Sequence, residues 1–154
     1  MKWNSPASGL SDRSVGAMED AMPPRVGDLG TAELEVLKAL WEEGPCTVRQ
    51  VLNHLHDRGR RVAYTTVMTF LSRLEQKNFV KSDKSDQAYV YRALVTHNKV
   101  TASRLRLLME QLYDGAAAPM VLQLMREENF TADEIAELQI LIDQLDTKRK
   151  RSKR

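Results

Sequence analysis

The feature that most constrains this chain is a change of hydrophobic period near Phe79. Before it, apolar residues recur at helical spacing in three short runs; after it, two short segments alternate. Leu34, Leu37, Leu40 and Trp41 fall at i, i+3, i+6 and i+7, one face of a helix expected to begin at Thr31. Thr31 suits the N-cap, Glu33 and Glu35 suit the positive end of the helix dipole, and Gly44-Pro45 stops the run. Thr47 opens a second helix, with Gln50 at capping-box spacing and Val48, Val51, Leu52 and Leu55 as its buried stripe. Gly59 closes it. A third helix is expected from Ala63 to Lys77, with Val67, Phe70, Leu71 and Leu74 inward. Phe79-Val80-Lys81 and Tyr89-Val90-Tyr91 are strand candidates around a polar loop. Three helices and a hairpin, in that order, make a winged helix-turn-helix.

Everything from Asn98 onward reads as helix. Leu105, Leu108, Met109 and Leu112 make one stripe, closed by Gly115; Met120, Val121, Leu124 and Met125 make a second. Thr131 caps a third helix with Glu134 as its capping-box partner, and Ile135, Leu138, Ile142 and Leu145 form a seam widened by Ile140 and Leu141. Three short amphipathic helices are a thin core alone, so a second copy of the chain is the simplest cover. The expected fold class is mainly α with a small β-hairpin: a winged helix-turn-helix domain plus a C-terminal helical dimerisation domain. The boundaries expected are a disordered leader over 1–27, the winged-helix domain over 28–95, the dimerisation domain over 96–146 and a basic tail over 147–154.

Charge follows the same division. The net charge is only +2, but residues 96–146 carry four basic and nine acidic groups, while residues 147–154 carry six basic and no acidic ones. That basic run reads either as a salt-sensitive, nonspecific DNA contact or as a solvated end, the second slightly favoured. The single cysteine, Cys46, forms no internal disulfide and suits a reducing, cytoplasmic compartment. No run approaches the roughly 18 apolar residues of a membrane span.

A recognition helix reads base edges mainly from its N-terminal part. On the third helix the positions off the apolar face are Tyr64, Thr65, Thr66, Met68, Thr69, Ser72 and Arg73. Their hydroxyls suit bases or phosphates, and their methyl groups suit thymine. Against this, Thr65 or Thr66 at that position can simply cap the helix. Arg60 and Arg61 precede the helix and suit phosphates. In the wing, Lys81, Lys84 and Arg92 are within reach of a DNA backbone, though Asp83 and Asp86 dilute the charge. Tyr89 and Tyr91 alternate with Val90 and so are expected to share one core-facing side; Trp41 is also expected in the core. His54, His56 and His97 make no convergent metal set, and no nucleophile–base pair or phosphate loop is present. The expectation is a DNA-binding protein with no cofactor, not an enzyme. A winged helix that binds a protein without sequence-specific DNA binding is the alternative.

Two stretches carry a resemblance: LGTAELEVLKALWEEGPCTVRQVLNHL from Leu29, and RRVAYTTVMTFLSRLEQKNFVKS from Arg60, followed by AYVYRAL from Ala88. Together they resemble the penicillinase-repressor family of bacterial transcriptional regulators, of the BlaI, MecI and CopY type. The likeness continues more weakly through Leu112-Tyr113-Asp114-Gly115 to about Leu145. It implies a homodimeric repressor on an inverted-repeat operator in double-stranded DNA. In the β-lactam branch it also implies relief when a membrane sensor metalloprotease cuts the C-terminal domain at an Asn-Phe step. The aligned step here is Gln123-Leu124, a departure from that pattern. The paired Cys-x-Cys ligands of the copper branch have no counterpart in this sequence.

Overall fold

The computed structural model describes residues 22–153. The elements in chain order are α1 (Thr31–Glu43), β1 (Cys46–Thr47), α2 (Val48–Asp57), α3 (Tyr64–Gln76), β2 (Val80–Asp83), β3 (Val90–Ala93), α4 (His97–Tyr113), α5 (Ala117–Glu127) and α6 (Ala132–Ser152), with a single 3-10 turn at Val26–Asp28 before them. The chain is mainly helical with a small antiparallel sheet, and its first half is a winged helix-turn-helix. Two compact units divide between Ala102 and Ser103.

The first unit is built around an apolar core. Val36, Leu37 and Ala39 of α1, Val51 of α2, Val67, Leu71 and Leu74 of α3, and Phe79 after it are all fully buried. On α2 and α3 these positions belong to the stripes expected from the 3.6-residue period, whereas on α1 the buried face is rotated from the expected one: Val36 and Ala39 are enclosed, and Leu34 and Trp41 are only partly buried. Trp41 lies partly buried at the edge, its indole N–H donating to the Val95 carbonyl at 2.8 Å. The His97 ring meets it edge-on, centroids 5.1 Å apart. Val95 and Val100 are buried in the same core, so the start of α4 belongs to this unit, past the boundary expected at residue 95.

The wing is a three-stranded sheet in the order β1-β3-β2. β3 pairs Val80 with Ala93, Lys81 with Arg92, Ser82 with Tyr91 and Asp83 with Val90 on one side. On the other it pairs Cys46 with Tyr91 and Thr47 with Val90. The sequence shows no sign of β1, because two residues are too few to display a period of two.

Several expectations are corrected. Thr31 does not cap α1: Gly30 holds the N-cap position in extended backbone, no side chain caps the helix, and Thr31 is the first helical residue. Glu33 stands in the first turn of α1, as expected, but it is also 7% exposed and receives the Lys77 ammonium at 3.0 Å on both carboxylate oxygens. Tyr91 is 8% exposed as expected, but Tyr89 is 48% exposed and precedes β3. The alternation that places Tyr91 inward holds only where the strand is paired, and pairing starts at Val90.

The leader expected over 1–27 lies outside the described residues as far as residue 21. At its described end the Met22 carbonyl accepts from Asn78, just past α3, at 2.8 Å; Asp28, just after the leader, offers its carbonyl to Lys77 at 2.7 Å. The expected tail is also different, since α6 runs on to Ser152 and takes most of the basic run into helix.

Candidate nucleic-acid interface

The candidate surface is built on α3, and the core decides which way that helix faces. Val67, Leu71 and Leu74 are buried and Phe70 packs partly against the core, which fixes the rotation of the helix. Thr65, Met68, Thr69, Ser72 and Arg73 are therefore outward and exposed, Tyr64 is exposed beside them, and Thr66 is half-buried at the edge of the face. The N-cap is Ala63, whose side chain accepts nothing, so neither Thr65 nor Thr66 is spent on capping. A helix start without a side-chain cap leaves N–H donors and the positive end of the dipole available to an anion. The Thr69 hydroxyl donates to the Thr65 carbonyl at 3.0 Å, which leaves its oxygen free to accept.

α2 supports this face. Its capping box is present: the Thr47 hydroxyl accepts from the Gln50 N–H at 3.2 Å, and the Gln50 side chain accepts from the Thr47 N–H at 2.8 Å. The box fixes the first turn, and there the Arg49 guanidinium lies 4.9 Å above the Tyr64 ring. Arg49 is an exposed cation beside the start of α3 that the sequence reading missed. Helical spacing holds the signal, because Val48, Val51, Leu52 and Leu55 point inward and leave position 49 outside.

The loop arginines differ among themselves. Arg60 pairs with Glu35 at 2.7 Å, so a phosphate at this position competes with a carboxylate already in place. Arg58 pairs with Glu42. Arg61 is exposed and makes no ion pair among the described residues.

In the wing, Lys81, Lys84 and Arg92 come together with Pro45, Ser82, Asp83 and Val90 around an open concavity of about 560 Å³. Lys84 also lies 5.4 Å over the Tyr89 ring. Asp83 sits among these cations and accepts from the Ser85 N–H at 2.9 Å; the Ser85 hydroxyl first, and then this N–H, hold its carboxyl below its usual range. The root of the wing is held by Glu75 of α3, which accepts from the Ser82 hydroxyl at 2.6 Å and from its N–H at 3.1 Å. Glu75 is another positioning residue that the sequence reading missed, because the contact depends on the fold.

The second unit carries the stripes expected to pair. Leu105, Leu108, Leu112, Val121, Leu124, Ile135, Leu141, Ile142 and Leu145 are exposed, and Met109, Met120 and Leu138 are half-buried. Gln123 and Leu124 lie on exposed turns of α5, with the Gln123 amide donating to Glu127 at 2.6 Å. Among the described residues no group of His, Cys, Asp and Glu is arranged to hold a metal, and no helix is long and apolar enough to cross a membrane.

A family model described as penicillinase repressor matches residues 29–144, from the buried Leu29 to within α6. The chain belongs to the penicillinase repressor family. Relatives along most of its length include the methicillin resistance regulatory protein MecI of Mammaliicoccus sciuri, 22% identical over 122 residues, which is 79% of this chain and 98% of the relative. The penicillinase repressor of Staphylococcus aureus is 22% identical over 121 residues, covering 79% and 95%. A shorter match is to the transcriptional regulator BlaI of Mycobacterium tuberculosis, 38% identical over 94 residues, which is 60% of this chain and 65% of the relative. Among solved structures, a MarR family protein from Bacillus stearothermophilus gives a TM-score of 0.44 at 20% identity, covering 80% of this chain and 76% of the other.

Proposed function

We propose that this member of the penicillinase repressor family is a homodimeric transcriptional repressor of the cytoplasm that reads an inverted-repeat operator with α3. The observation that carries this reading is the two-sided character of α3. One side is locked into the apolar core, and the other presents Thr65, Met68, Thr69, Ser72 and Arg73 outward, with Thr66 half-buried at its edge. A rigid helix with short polar and methyl-bearing side chains suits the major groove, where hydroxyls meet base edges and methyls meet thymine. Arg49, Arg61, Lys81, Lys84 and Arg92 flank it with charge for the phosphates. Two copies paired through the second unit place two such helices on one duplex, with half-sites about one helical turn apart.

Relief of repression follows from the same arrangement. Cleavage after α5 separates α6, with its seam, from the head, and two-handed binding is lost. The exposed link Glu128–Asn129 between α5 and α6 has no regular structure, unlike Gln123-Leu124 inside α5, and is the better substrate for a protease such as a membrane sensor metalloprotease. Selection of duplexes from a randomised library, followed by fluorescence anisotropy on the selected sequence, tests the function. A two-fold symmetric consensus is expected, bound at least about 10³-fold tighter than unrelated duplex. Recovery of no preferred sequence at moderate salt refutes it.

A further inference from the structure

The last turns of α6 carry more positive charge than helix stability uses. Lys148, Arg149, Lys150, Arg151 and Lys153 are all exposed and follow one another with only Ser152 between them. One or two cations suffice to complement the negative end of a helix dipole. Five in succession create like-charge neighbours at i, i+3 and i, i+4, such as Lys148 with Arg151 and Arg149 with Lys153, and these weaken the helix. Asp146 pairs with Arg149 at 3.2 Å and Lys150 at 2.9 Å. Lys148, Arg151 and Lys153 make no ion pair among the described residues. The family match covers residues 29–144, so this cationic run lies outside the matched residues.

We propose that residues 148–153 form a second, sequence-independent binding site for duplex DNA, separate from the α3 face. At 100° per residue the five cations surround the helix rather than forming one stripe. The apolar residues of α6 end at Leu145 and belong to the proposed seam; residues 147–153 contain no apolar residue with which to enter a membrane surface. A cationic girdle on a rigid rod instead suits a polyphosphate that can be met from any side. Lys148 and Arg151 stand one turn apart on the same side, with Thr147 beside them. The Thr147 hydroxyl donates its proton to the Asp143 carbonyl at 2.9 Å, so it has no proton to offer a phosphate and the cations supply the attraction.

The test compares the full chain with the triple variant Lys148→Gln, Arg151→Gln, Lys153→Gln, which keeps the two pairs to Asp146. Binding to a duplex lacking any selected sequence is followed by anisotropy as salt is raised. Each phosphate neutralised adds about 0.9 to the slope of log affinity on log salt. The variant is expected to lose about 2–3 from that slope per copy and about tenfold or more in affinity at low salt. The variant Lys148→Arg, Arg151→Lys, Lys153→Arg is expected to keep the slope, which separates charge from a folding defect. An unchanged slope in the glutamine variant overturns the proposal. So does wild-type binding to vesicles of phosphatidylcholine with 30% phosphatidylserine that exceeds binding to the duplex. The α3 reading is decided independently by the ratio of selected to unselected duplex, which the glutamine variant leaves high if only this second site is lost.

Discussion

The two units of this chain solve the burial problem in opposite ways. The first encloses a substantial apolar core, with Phe79, Leu37, Leu71, Leu74, Val36, Val51, Val67 and Val80 as its largest enclosed side chains. In the second, α5 and α6 bury no residue, Leu112 is 65% exposed and Leu145 is 58% exposed. Apolar stripes left this exposed are what the proposed pairing of two copies would cover. The difference teaches that the head has its own enclosed core, whereas the second unit leaves its apolar stripes open. On the proposed dimer, stability of the head is a property of one chain and stability of the second unit belongs to a pair.

The largest effect expected from this contrast comes from Leu138→Glu with Ile142→Glu in α6. Charges at the seam leave the head folded but make the chain monomeric, and affinity for the selected operator falls by about 10²–10⁴-fold as avidity is lost. Sedimentation and anisotropy on the same samples check both parts.

Next in size is the contrast between two truncations. Leu71→Ala empties a site in the apolar core and destabilises the head by about 2–5 kcal/mol in chemical denaturation, at any protein concentration. Leu145→Ala acts on an exposed position of the single chain, so its effect depends on protein concentration and vanishes when the pair is diluted apart. Equal, concentration-independent losses in the two variants would break the comparison.

Arg73→Ala sits on the exposed side of α3 and tests the head's function without its stability. A loss of about 1–3 kcal/mol on operator is expected if Arg73 reads a base, or a fall of about 1 in salt slope if it meets a phosphate. The thermal midpoint stays where it was.

The smallest effect concerns Cys46. Burial pushes its thiol up, and the nearby Glu43 carboxylate adds to the shift. A raised folded pKa means this contribution to stability is complete below the unfolded thiol's pKa and is lost as pH rises through the folded value. Alkylation of the native protein at neutral pH is therefore slow relative to the unfolded chain, and stability declines only in alkaline solution.

Much of this was legible in the sequence, and the rest shows where local signals stop. α3 was expected over 63–77 and spans Tyr64–Gln76, because Val67, Phe70, Leu71 and Leu74 state its period directly. The capping boxes at Thr47 and Thr131 are equally legible, since cap and partner lie three residues apart. Thr31 misled because Gly30 also accepts the extended N-cap geometry and hides its signal. The Glu33–Lys77 pair joins residues 44 apart, and Arg49 meets Tyr64 only after α2 and α3 are docked. Tyr89 looked inward because alternation was extended one residue beyond the ladder. On α3 the spacing separated the exposed positions from the core ones, whereas the ion pair that occupies Arg60 was invisible until Glu35 was placed beside it.

The most direct test of the account is the stoichiometry of the full chain on its selected duplex, measured by sedimentation velocity at moderate salt. Two copies per duplex are predicted, falling to weak one-copy binding when Leu138→Glu and Ile142→Glu are introduced. A single copy bound to a duplex without two-fold symmetry, at an affinity the seam variant retains, would contradict it.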